Sequence, residues 1–329
     1  MSTQTLAATA TFGNYINGEW ATGERTFDDR NPANTDEVVG RFVKGTAADM
    51  DAAAQAAAAA LPAWSAMSGP ARGNNLFKAA DILDRKFEQV AAEMTREEGK
   101  TLPEAKGEVR RSINIFRYFA GEGSRLPGML VPSERDRVHM FALRKPIGVV
   151  GLITPWNFPS AIPAWKLAPA LICGNTVVIK PASAAPLSAW RIVEALHEAG
   201  IPKGVVNFVA GSGGELGEAL VKAKGLKAVS FTGSCEIGNW LHGEASKRRL
   251  RIQLEMGGKN PTIVLADADF NAAVENVVNA AFFSTGQKCT ATSRAIVEDA
   301  IYDRFVAAVV ERTKRLKVGD GMQAGIEIG

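Results

Sequence analysis

Cysteine and histidine are scarce in this 329-residue chain, which argues against disulfide bonds and metal sites. The chain contains three of each, at Cys173, Cys235, Cys289, His139, His197 and His242. The cysteines are too few and too scattered for a disulfide framework, and no Cys/His cluster has the spacing of a metal site. Free thiols in odd number are typical of a reducing compartment. We therefore expect a cytoplasmic protein without disulfides or a bound metal.

The chain also lacks the marks of membrane, exported and nucleic-acid-binding proteins. No apolar run approaches the length of a membrane span, and Met1–Thr11 has neither the basic nor the apolar region of a signal or transit peptide. The net charge is only +3, and the cluster at residues 247–251 favours a solvated helix end over a nucleic-acid-binding arm. We expect neither a membrane nor a nucleic-acid partner.

The composition that remains is that of a globular protein, 46% hydrophobic and 22% charged, with enough length for two domains. Residues 14–44 favour short strands, with Asn17-Gly18 as a hairpin turn. Thr46 and Asp49 form a capping-box pattern that predicts a helix start. The alanine-rich run 52–60 and the apolar spacing that follows predict helices, the later ones over about residues 72–98 and 103–122.

After about residue 136, apolar β-rich runs alternate with helical stretches. The predicted strands are 147–154, 176–180, 205–209, 228–231, 253–255 and 262–265, and the predicted helices are 163–172, 186–199, 215–223, 235–246 and 270–285. Strands that are apolar on both faces and separated by helices predict an α/β fold with a parallel sheet covered on both sides. Such sheets bind ligands at the carboxyl ends of their strands.

One strand end has a glycine-containing turn suited to phosphate. The strand 228–231 leads into Thr232-Gly233-Ser234, and a helix containing Gly238 follows. Backbone N–H groups at such a helix start can bind a pyrophosphate. Glycine in a tight turn is more often only structural, so this turn alone is weak evidence.

Five segments read together are far more specific than that turn. They are Thr154–Pro159 (TPWNFP), Val178–Ala182 (VIKPA), Phe231–Ser234 (FTGS), Leu254–Lys259 (LEMGGK) and Phe283–Cys289 (FSTGQKC). Their order and spacing resemble the aldehyde dehydrogenase superfamily over nearly the whole chain. The local sequences at Arg117–Gly123 and Glu255–Pro261 are most similar to those of the 2,5-dioxopentanoate (α-ketoglutarate semialdehyde) dehydrogenases.

The resemblance implies that Cys289 is the catalytic nucleophile. A thiolate adduct of an aldehyde, a thiohemiacetal, can expel hydride and leave a thioester. The alternative, an inert buried cysteine, is the usual state of a free thiol, but the Gly286-Gln287 turn before Cys289 favours exposure. Cys173 and Cys235 have no such setting, and we interpret them as structural.

Two further catalytic roles follow from the same resemblance. Asn157 would donate to the oxyanion together with the backbone N–H of Cys289, although an asparagine in a proline-rich loop can also be an Asx-turn residue. Glu255 would be the general base for thioester hydrolysis. Its mostly apolar segment predicts desolvation and a raised pKa, whereas the alternative is a strand-end salt bridge.

A nicotinamide cofactor is implied as well, with Lys180 holding its ribose from the end of a strand. NAD-preferring relatives often carry a glutamate at the position of Ser183, where a carboxylate would repel a 2′-phosphate. Serine removes that repulsion and can donate to phosphate, so we expect NADP to be accepted and preferred over NAD. The other cofactor-binding residues implied are Thr154, Pro155, Trp156, Gly213, Gly217, Phe231, Gly233, Ser234, Ile237, Glu255 and Gly257.

The substrate is less well specified than the chemistry. Several semialdehyde dehydrogenases hold the substrate carboxylate with an arginine eight residues after the oxyanion asparagine, but this chain has Trp165 there. Arg110 and Arg111 are the alternative candidates. A succinate-semialdehyde or broad-specificity aldehyde dehydrogenase is the competing interpretation.

The family pattern also predicts a domain arrangement. Residues 1–124 and 147–257 would form a Rossmann-like NAD(P)-binding domain, 125–146 an oligomerisation hairpin, and 258–329 the start of a second α/β, catalytic domain. Because the family's chains continue further, we expect this chain to be truncated and the complete enzyme to be a homodimer or homotetramer. An inactive nucleotide-binding fragment or a structural protein are the alternatives, the latter disfavoured because Cys289, Glu255, Asn157 and Lys180 occur together.

Overall fold

The computed structural model describes residues 10–329, so most of the Met1–Thr11 segment lies outside the described residues. Strands and helices are numbered in chain order. The strands are β1 Thr11–Phe12, β2 Asn14–Ile16, β3 Glu19–Ala21, β4 Thr26–Arg30, β5 Val38–Val43, β6 Met129–Pro132, β7 His139–Ala142, β8 Val149–Ile153, β9 Thr176–Lys180, β10 Val206–Phe208, β11 Leu226–Gly233, β12 Arg251–Met256, β13 Asn260–Val264 and β14 Thr292–Val297. The helices are α1 Ala47–Ala66, α2 Gly69–Arg85, α3 Phe87–Glu98, α4 Leu102–Glu122, α5 Ala161–Ile172, α6 Leu187–Glu198, α7 Gly213–Lys222, α8 Cys235–Lys247, α9 Phe270–Phe282 and α10 Tyr302–Lys314.

Local sequence signals near the amino terminus are confirmed. Asn17 and Gly18 have φ of 52° and 84°, the left-handed conformation that a two-residue hairpin turn requires. They join β2 to β3 in antiparallel register. At the start of α1, Thr46 and Asp49 form the capping box, with the Asp49 carboxylate accepting from the Thr46 N–H at 2.8 Å.

The central sheet has seven strands in the order β12-β11-β8-β9-β10-β2-β3. The five strands from β12 to β10 run parallel, which confirms the predicted α/β fold, and the β2–β3 hairpin adds an antiparallel edge. Helices cover both faces because alternate side chains point to opposite sides. In β9, Val177 and Ile179 join one apolar cluster while Val178 joins the other.

The strand order predicts where a ligand would bind. From β8 the chain proceeds outward through β9 and β10, then returns to β11 on the other side of β8 and continues to β12. The order therefore reverses between β8 and β11. Open α/β sheets bind ligands outside the carboxyl ends of their strands at such a reversal.

The helix predicted over 72–98 is wrong as a single element. It is broken at Lys86, whose φ and ψ of −93° and 11° depart from helical values, into α2 and α3. The Lys86 ammonium binds Glu194 and Glu198 of α6, at 3.0 and 2.5 Å. The apolar spacing from Leu83 to Phe87 is helical, so the apolar pattern alone does not mark the break.

Two parts of the chain lie apart from the central sheet. Strands β6 and β7 pair as an antiparallel hairpin whose residues are all exposed. Strands β13 and β14 pair in parallel and pack with α9 and α10 around a separate apolar cluster that includes Val278 and Phe305. Within residues 10–329, no helix is both long and apolar enough to cross a membrane.

Candidate active site

The predicted cofactor residues gather along one edge of the sheet. Thr154 follows β8, Lys180 ends β9, Gly233 ends β11 and Gly257 follows β12. These strands are parallel neighbours in the sheet, so their carboxyl ends meet at the same edge. The Thr154 N–H donates to the Lys180 carbonyl oxygen at 3.2 Å, which ties two of these strand ends together.

A cleft of about 530 Å³ opens beside this edge, and four predicted residues line it: Lys180, Gly213, Gly217 and Ile237. A Cβ at Gly217 would meet open space, and one at Gly213 would meet only the Lys180 ammonium, at 3.8 Å. The glycines therefore leave room for a ligand to approach the backbone at the start of α7. The cleft lies at the sheet edge where open α/β folds bind ligands.

Lys180 is the buried charged residue of this cleft, whose lining also includes the carboxylates of Glu218 and Glu236. It is 4% exposed, and no hydrogen bond or ion pair to its ammonium occurs among residues 10–329. Burial lowers the pKa of Lys180 to about 8, because desolvation disfavours the charged form. A buried, unpaired ammonium beside an open cleft is the feature expected where a polar ligand completes the site.

The remaining cofactor candidates flank the cleft. Ser234 caps α8 by accepting from the Ile237 N–H at 3.3 Å. Phe231 is buried and its ring packs under Gly233, where a Cβ would come within 2.5 Å of it. The exposed Ser183 donates its hydroxyl to the Gly211 carbonyl oxygen at 2.7 Å. The loop Thr154–Trp156 runs from a buried threonine to an exposed tryptophan.

The loop that carries Cys289 departs from the prediction, which continued helix α9 to residue 285. The helix ends at Phe282, and Ser284 and Thr285 both have φ of 52° in an irregular turn. Gly286 follows with φ of 65°. This left-handed run turns the chain away from the helix axis, so Cys289 lies exposed beyond it. The exposure expected from the Gly286-Gln287 turn is confirmed.

Asn157 contacts the same loop through its side chain. Its side-chain Nδ2 donates to the Gln287 carbonyl oxygen at 2.7 Å. Its Oδ1 is buried and has no hydrogen-bond partner among the described residues. The structure thus brings Asn157 and the Cys289 loop together across 130 residues of sequence.

Glu255 is the exception among the catalytic candidates. The apolar, desolvating environment expected for it is wrong, because its side chain is exposed and accepts from Gln253 Nε2 at 3.0 Å. Strand β12 is the edge strand of the sheet, and its residues alternate between exposed and half-buried. The apolar neighbours Leu254 and Met256 point to the face opposite Glu255.

Four residues that the sequence analysis did not single out hold the loops of Asn157 and Cys289. Asn260 Nδ2 donates to the carbonyl oxygens of Cys289 and Ala291, at 2.6 and 3.2 Å. Lys100 just before α4, and Glu104 and Glu108 within it, bind backbone atoms of the Asn157 loop or the Cys289 loop. For Asn260 a signal existed, since it directly follows the Leu254–Lys259 motif. The other three residues carry no local signal for these contacts, because their partners lie 52–180 residues away.

The two arginine candidates for substrate binding differ in their surroundings. Arg110 forms an ion pair with Asp84 at 2.8 Å. Arg111 has no acidic partner among residues 10–329, and its guanidinium lies over the Trp165 ring, 5.8 Å from the centroid. Both line an open pocket of about 570 Å³ between α4 and α5, together with Trp165, Asn114 and Tyr118.

The two other cysteines also differ. Cys173 is half-buried at the end of α5, and burial raises the pKa of its thiol. Cys235 is exposed at the start of α8, with its sulfur 3.6 Å from the Gly257 carbonyl oxygen. Burial therefore supports the structural interpretation for Cys173 but gives no support for Cys235.

Comparisons with known proteins agree with the resemblance. The sequence profile of the aldehyde dehydrogenase family matches residues 20–329. The chain is 49% identical over 321 residues to the alpha-ketoglutaric semialdehyde dehydrogenase of Bacillus subtilis, covering 97% of this chain and 66% of that protein. The chain spans 64–66% of the length of the first curated relatives that it matches.

Solved structures give the same fold. An E. coli NADP dependent enzyme superposes with a TM-score of 0.94 at 38% identity, covering 97% of this chain and 67% of that one. The betaine aldehyde dehydrogenase of Staphylococcus aureus, solved in complex with NAD+, also gives 0.94, at 37% identity, covering 96% of this chain and 63% of that one.

Proposed function

The chain belongs to the aldehyde dehydrogenase family, and from that premise we propose that its activity is the NAD(P)-dependent oxidation of an aldehyde to a carboxylate. The observation that carries the proposal is the contact between the Asn157 amide and the Gln287 carbonyl, two residues before Cys289. It brings a side-chain donor together with the loop that carries an exposed thiol.

The chain's own residues would divide the chemistry. The Cys289 thiolate adds to the carbonyl carbon, and the negative charge that develops on oxygen is stabilised by Asn157 and by the backbone N–H of Cys289. An amide nitrogen carries two N–H bonds, so Asn157 can hold Gln287 with one and bind the oxyanion with the other. Glu255 takes a proton from the water that hydrolyses the resulting thioester, which releases the carboxylate and the Cys289 thiolate.

The cofactor would lie in the cleft lined by Lys180, Gly213, Gly217 and Ile237. When bound, its nicotinamide ring accepts the hydride that leaves the substrate carbon as the thioester forms. We propose that NADP is preferred, because position 183 carries a neutral serine where a carboxylate would repel the 2′-phosphate. Lys180, with its buried ammonium, would hold the ribose.

We further propose that the substrate is a semialdehyde such as 2,5-dioxopentanoate. The support is the identity to a protein named for that substrate and the presence of Arg111, a guanidinium without an acidic partner among residues 10–329, in a pocket beside α5. A guanidinium of this kind binds carboxylates in bidentate fashion. Succinate semialdehyde is the competing substrate, and a broad-specificity enzyme would not need Arg111.

The domain division predicted above also remains our proposal, including the hairpin at residues 125–146 as an oligomerisation element. Its strands β6 and β7 expose large apolar side chains, among them Leu130 at 80% and Phe141 at 68%. Exposed apolar residues on a two-stranded ribbon with open edges are suited to a contact between subunits. A homodimer or homotetramer would cover them.

A cofactor-reduction assay tests the proposed activity. The 329-residue chain is mixed with NAD or NADP and a panel of 2,5-dioxopentanoate, succinate semialdehyde and an uncharged aldehyde, with Cys289→Ala as the matched control. We expect absorbance of the reduced cofactor from the unmodified chain and none from the variant. Cofactor binding without turnover would instead favour a nucleotide-binding fragment, and a preference for the uncharged aldehyde would overturn the semialdehyde assignment.

A further inference from the structure

The carboxylate of Glu104 bridges a helix start and the loop that carries Cys289. Its Oε2 accepts from the N–H and the hydroxyl of Thr101, at 3.0 and 2.9 Å, and so closes a capping box on α4. Its Oε1 accepts from the N–H and the hydroxyl of Ser284, at 2.9 and 3.0 Å. One side chain therefore binds two segments that are 180 residues apart.

The Ser284 contact falls where the loop most needs support. Ser284 and the following Thr285 both adopt left-handed backbone angles, near φ 52°, which are unfavourable for residues with a Cβ. Such conformations persist only when the surroundings fix them. Inside the loop, the Gln287 N–H donates to the Ser284 carbonyl at 2.9 Å. Glu104 supplies the corresponding support from outside, through charge-assisted hydrogen bonds.

The same helix fixes the loop of Asn157. Oε1 of Glu108 accepts from the backbone N–H groups of Ser160 and Ala161, each at 2.9 Å. Its Oε2 binds the Lys100 ammonium at 2.6 Å, and that ammonium donates to the Asn157 carbonyl oxygen at 2.9 Å. The Lys100 and Glu108 side chains are almost fully buried, so this arrangement is rigid. Helix α4 is thus a common frame for both loops.

We propose that Glu104 is a positioning residue for Cys289. By fixing Ser284 to α4, it sets the thiol at a defined distance from Asn157, whose loop is held by Glu108 of the same helix and by Lys100 just before it. The inference rests on the proposed function, because that distance matters only if Cys289 attacks a carbonyl whose oxygen Asn157 binds. The competing explanation is that Glu104 only caps α4.

Two variants of Glu104 test the proposal, Glu104→Ala and Glu104→Gln, with amide hydrogen exchange and turnover as readouts. In Glu104→Ala we expect exchange in residues 283–289 to rise about tenfold or more, while the amides of Ser160 and Ala161 keep their protection. We expect kcat to fall about tenfold and the KM for the cofactor to stay unchanged. Glu104→Gln keeps one acceptor oxygen, so we expect it to restore most of the exchange protection and most of kcat.

Thr101→Ala is the matched control, because it removes the cap hydroxyl and leaves the contact between Glu104 and Ser284. Equal effects of Thr101→Ala and Glu104→Ala would show that Glu104 acts only as a cap. Unchanged exchange in residues 283–289, or faster exchange with unchanged kcat, would also overturn the proposal. A wild-type chain that turns over no aldehyde would contradict the proposed function, and the exchange readout would then decide alone whether Glu104 fixes the loop.

Discussion

Asn157 Nδ2 lies 2.7 Å from the carbonyl oxygen of Gln287, whereas Asn157 Oδ1 is buried without a hydrogen-bond partner among residues 10–329. The amide is therefore oriented with its donor toward the loop of Cys289. This orientation is the one that an oxyanion donor requires, since a developing negative charge needs an N–H and not a second oxygen. The geometry also makes the amide part of the scaffold that holds the loop.

Replacing Asn157 should therefore impair the chemical step and leave cofactor binding intact. We expect Asn157→Ala to lower kcat by about 10²–10³-fold, the usual effect of removing one oxyanion donor. Steady-state kinetics and a separate titration with NADP would measure the two effects.

A second variant at this position separates the lost donor from the lost contact. Asn157→Asp has the same shape but places a negative charge beside the oxyanion, so we expect it to be slower than Asn157→Ala. Activity of Asn157→Asp close to that of the unmodified chain would refute the role of Asn157 as a donor.

Cofactor preference should depend on the charge at position 183. In Ser183→Glu we expect NADP affinity to fall by at least about tenfold, because the new carboxylate repels the 2′-phosphate, while NAD affinity holds or improves. Fluorescence titration with each cofactor would measure this. Ala184→Glu is the matched control, since residue 184 is the exposed neighbour. An equal loss of affinity in both variants would point to a general effect of charge and not to a contact at Ser183.

Cofactor binding should also weaken at alkaline pH because of Lys180. Burial lowers its pKa to about 8, so the ammonium is charged below that pH and neutral above it. The 2′-phosphate stays ionised across this range, since its second pKa is about 6. We expect NADP affinity to be constant near pH 7 and to fall above pH 8 by up to about tenfold per pH unit.

Lys180→Met serves as the comparison for this pH series. It should bind NADP more weakly at pH 7, and its affinity should not change between pH 7 and 9. A parallel decline in the variant and the unmodified chain would assign the pH dependence to another group.

The fold followed from the sequence because its signals are local. Alternation of apolar strands with helices predicted the parallel sheet, and the Asn17-Gly18 turn and the Thr46–Asp49 capping box each act over a few residues. The end of α9 at Phe282 was not predicted, because serine and threonine rarely adopt the left-handed backbone angles that Ser284 and Thr285 have. External contacts fix them.

The surroundings of the site residues were harder to predict than which residues belong to the site. Glu255 lies between Leu254 and Met256, and this suggested an apolar setting. In a strand, however, neighbours point to opposite faces, and β12 is an edge strand, so Glu255 is exposed. The hydrogen bonds from α4 to the two catalytic loops join segments up to 180 residues apart, and no sequence pattern connects such distant partners.

Substrate selection should depend on Arg111 and not on its neighbour Arg110. Arg111 lies over Trp165 without an acidic partner among residues 10–329, whereas Arg110 forms an ion pair with Asp84. A charge-assisted pair with the substrate carboxylate contributes roughly 1.5–3 kcal/mol. We therefore expect Arg111→Met to raise the KM for 2,5-dioxopentanoate by about 10–100-fold with little change in kcat.

Two comparisons make this expectation specific. The KM for an uncharged aldehyde should not rise in Arg111→Met, because no carboxylate is present to lose a partner. Arg110→Met, in the same pocket, should leave the KM for 2,5-dioxopentanoate unchanged. If Arg110→Met raises that KM and Arg111→Met does not, Arg110 and not Arg111 binds the substrate carboxylate. If neither variant changes it, the substrate carboxylate is bound outside this pocket.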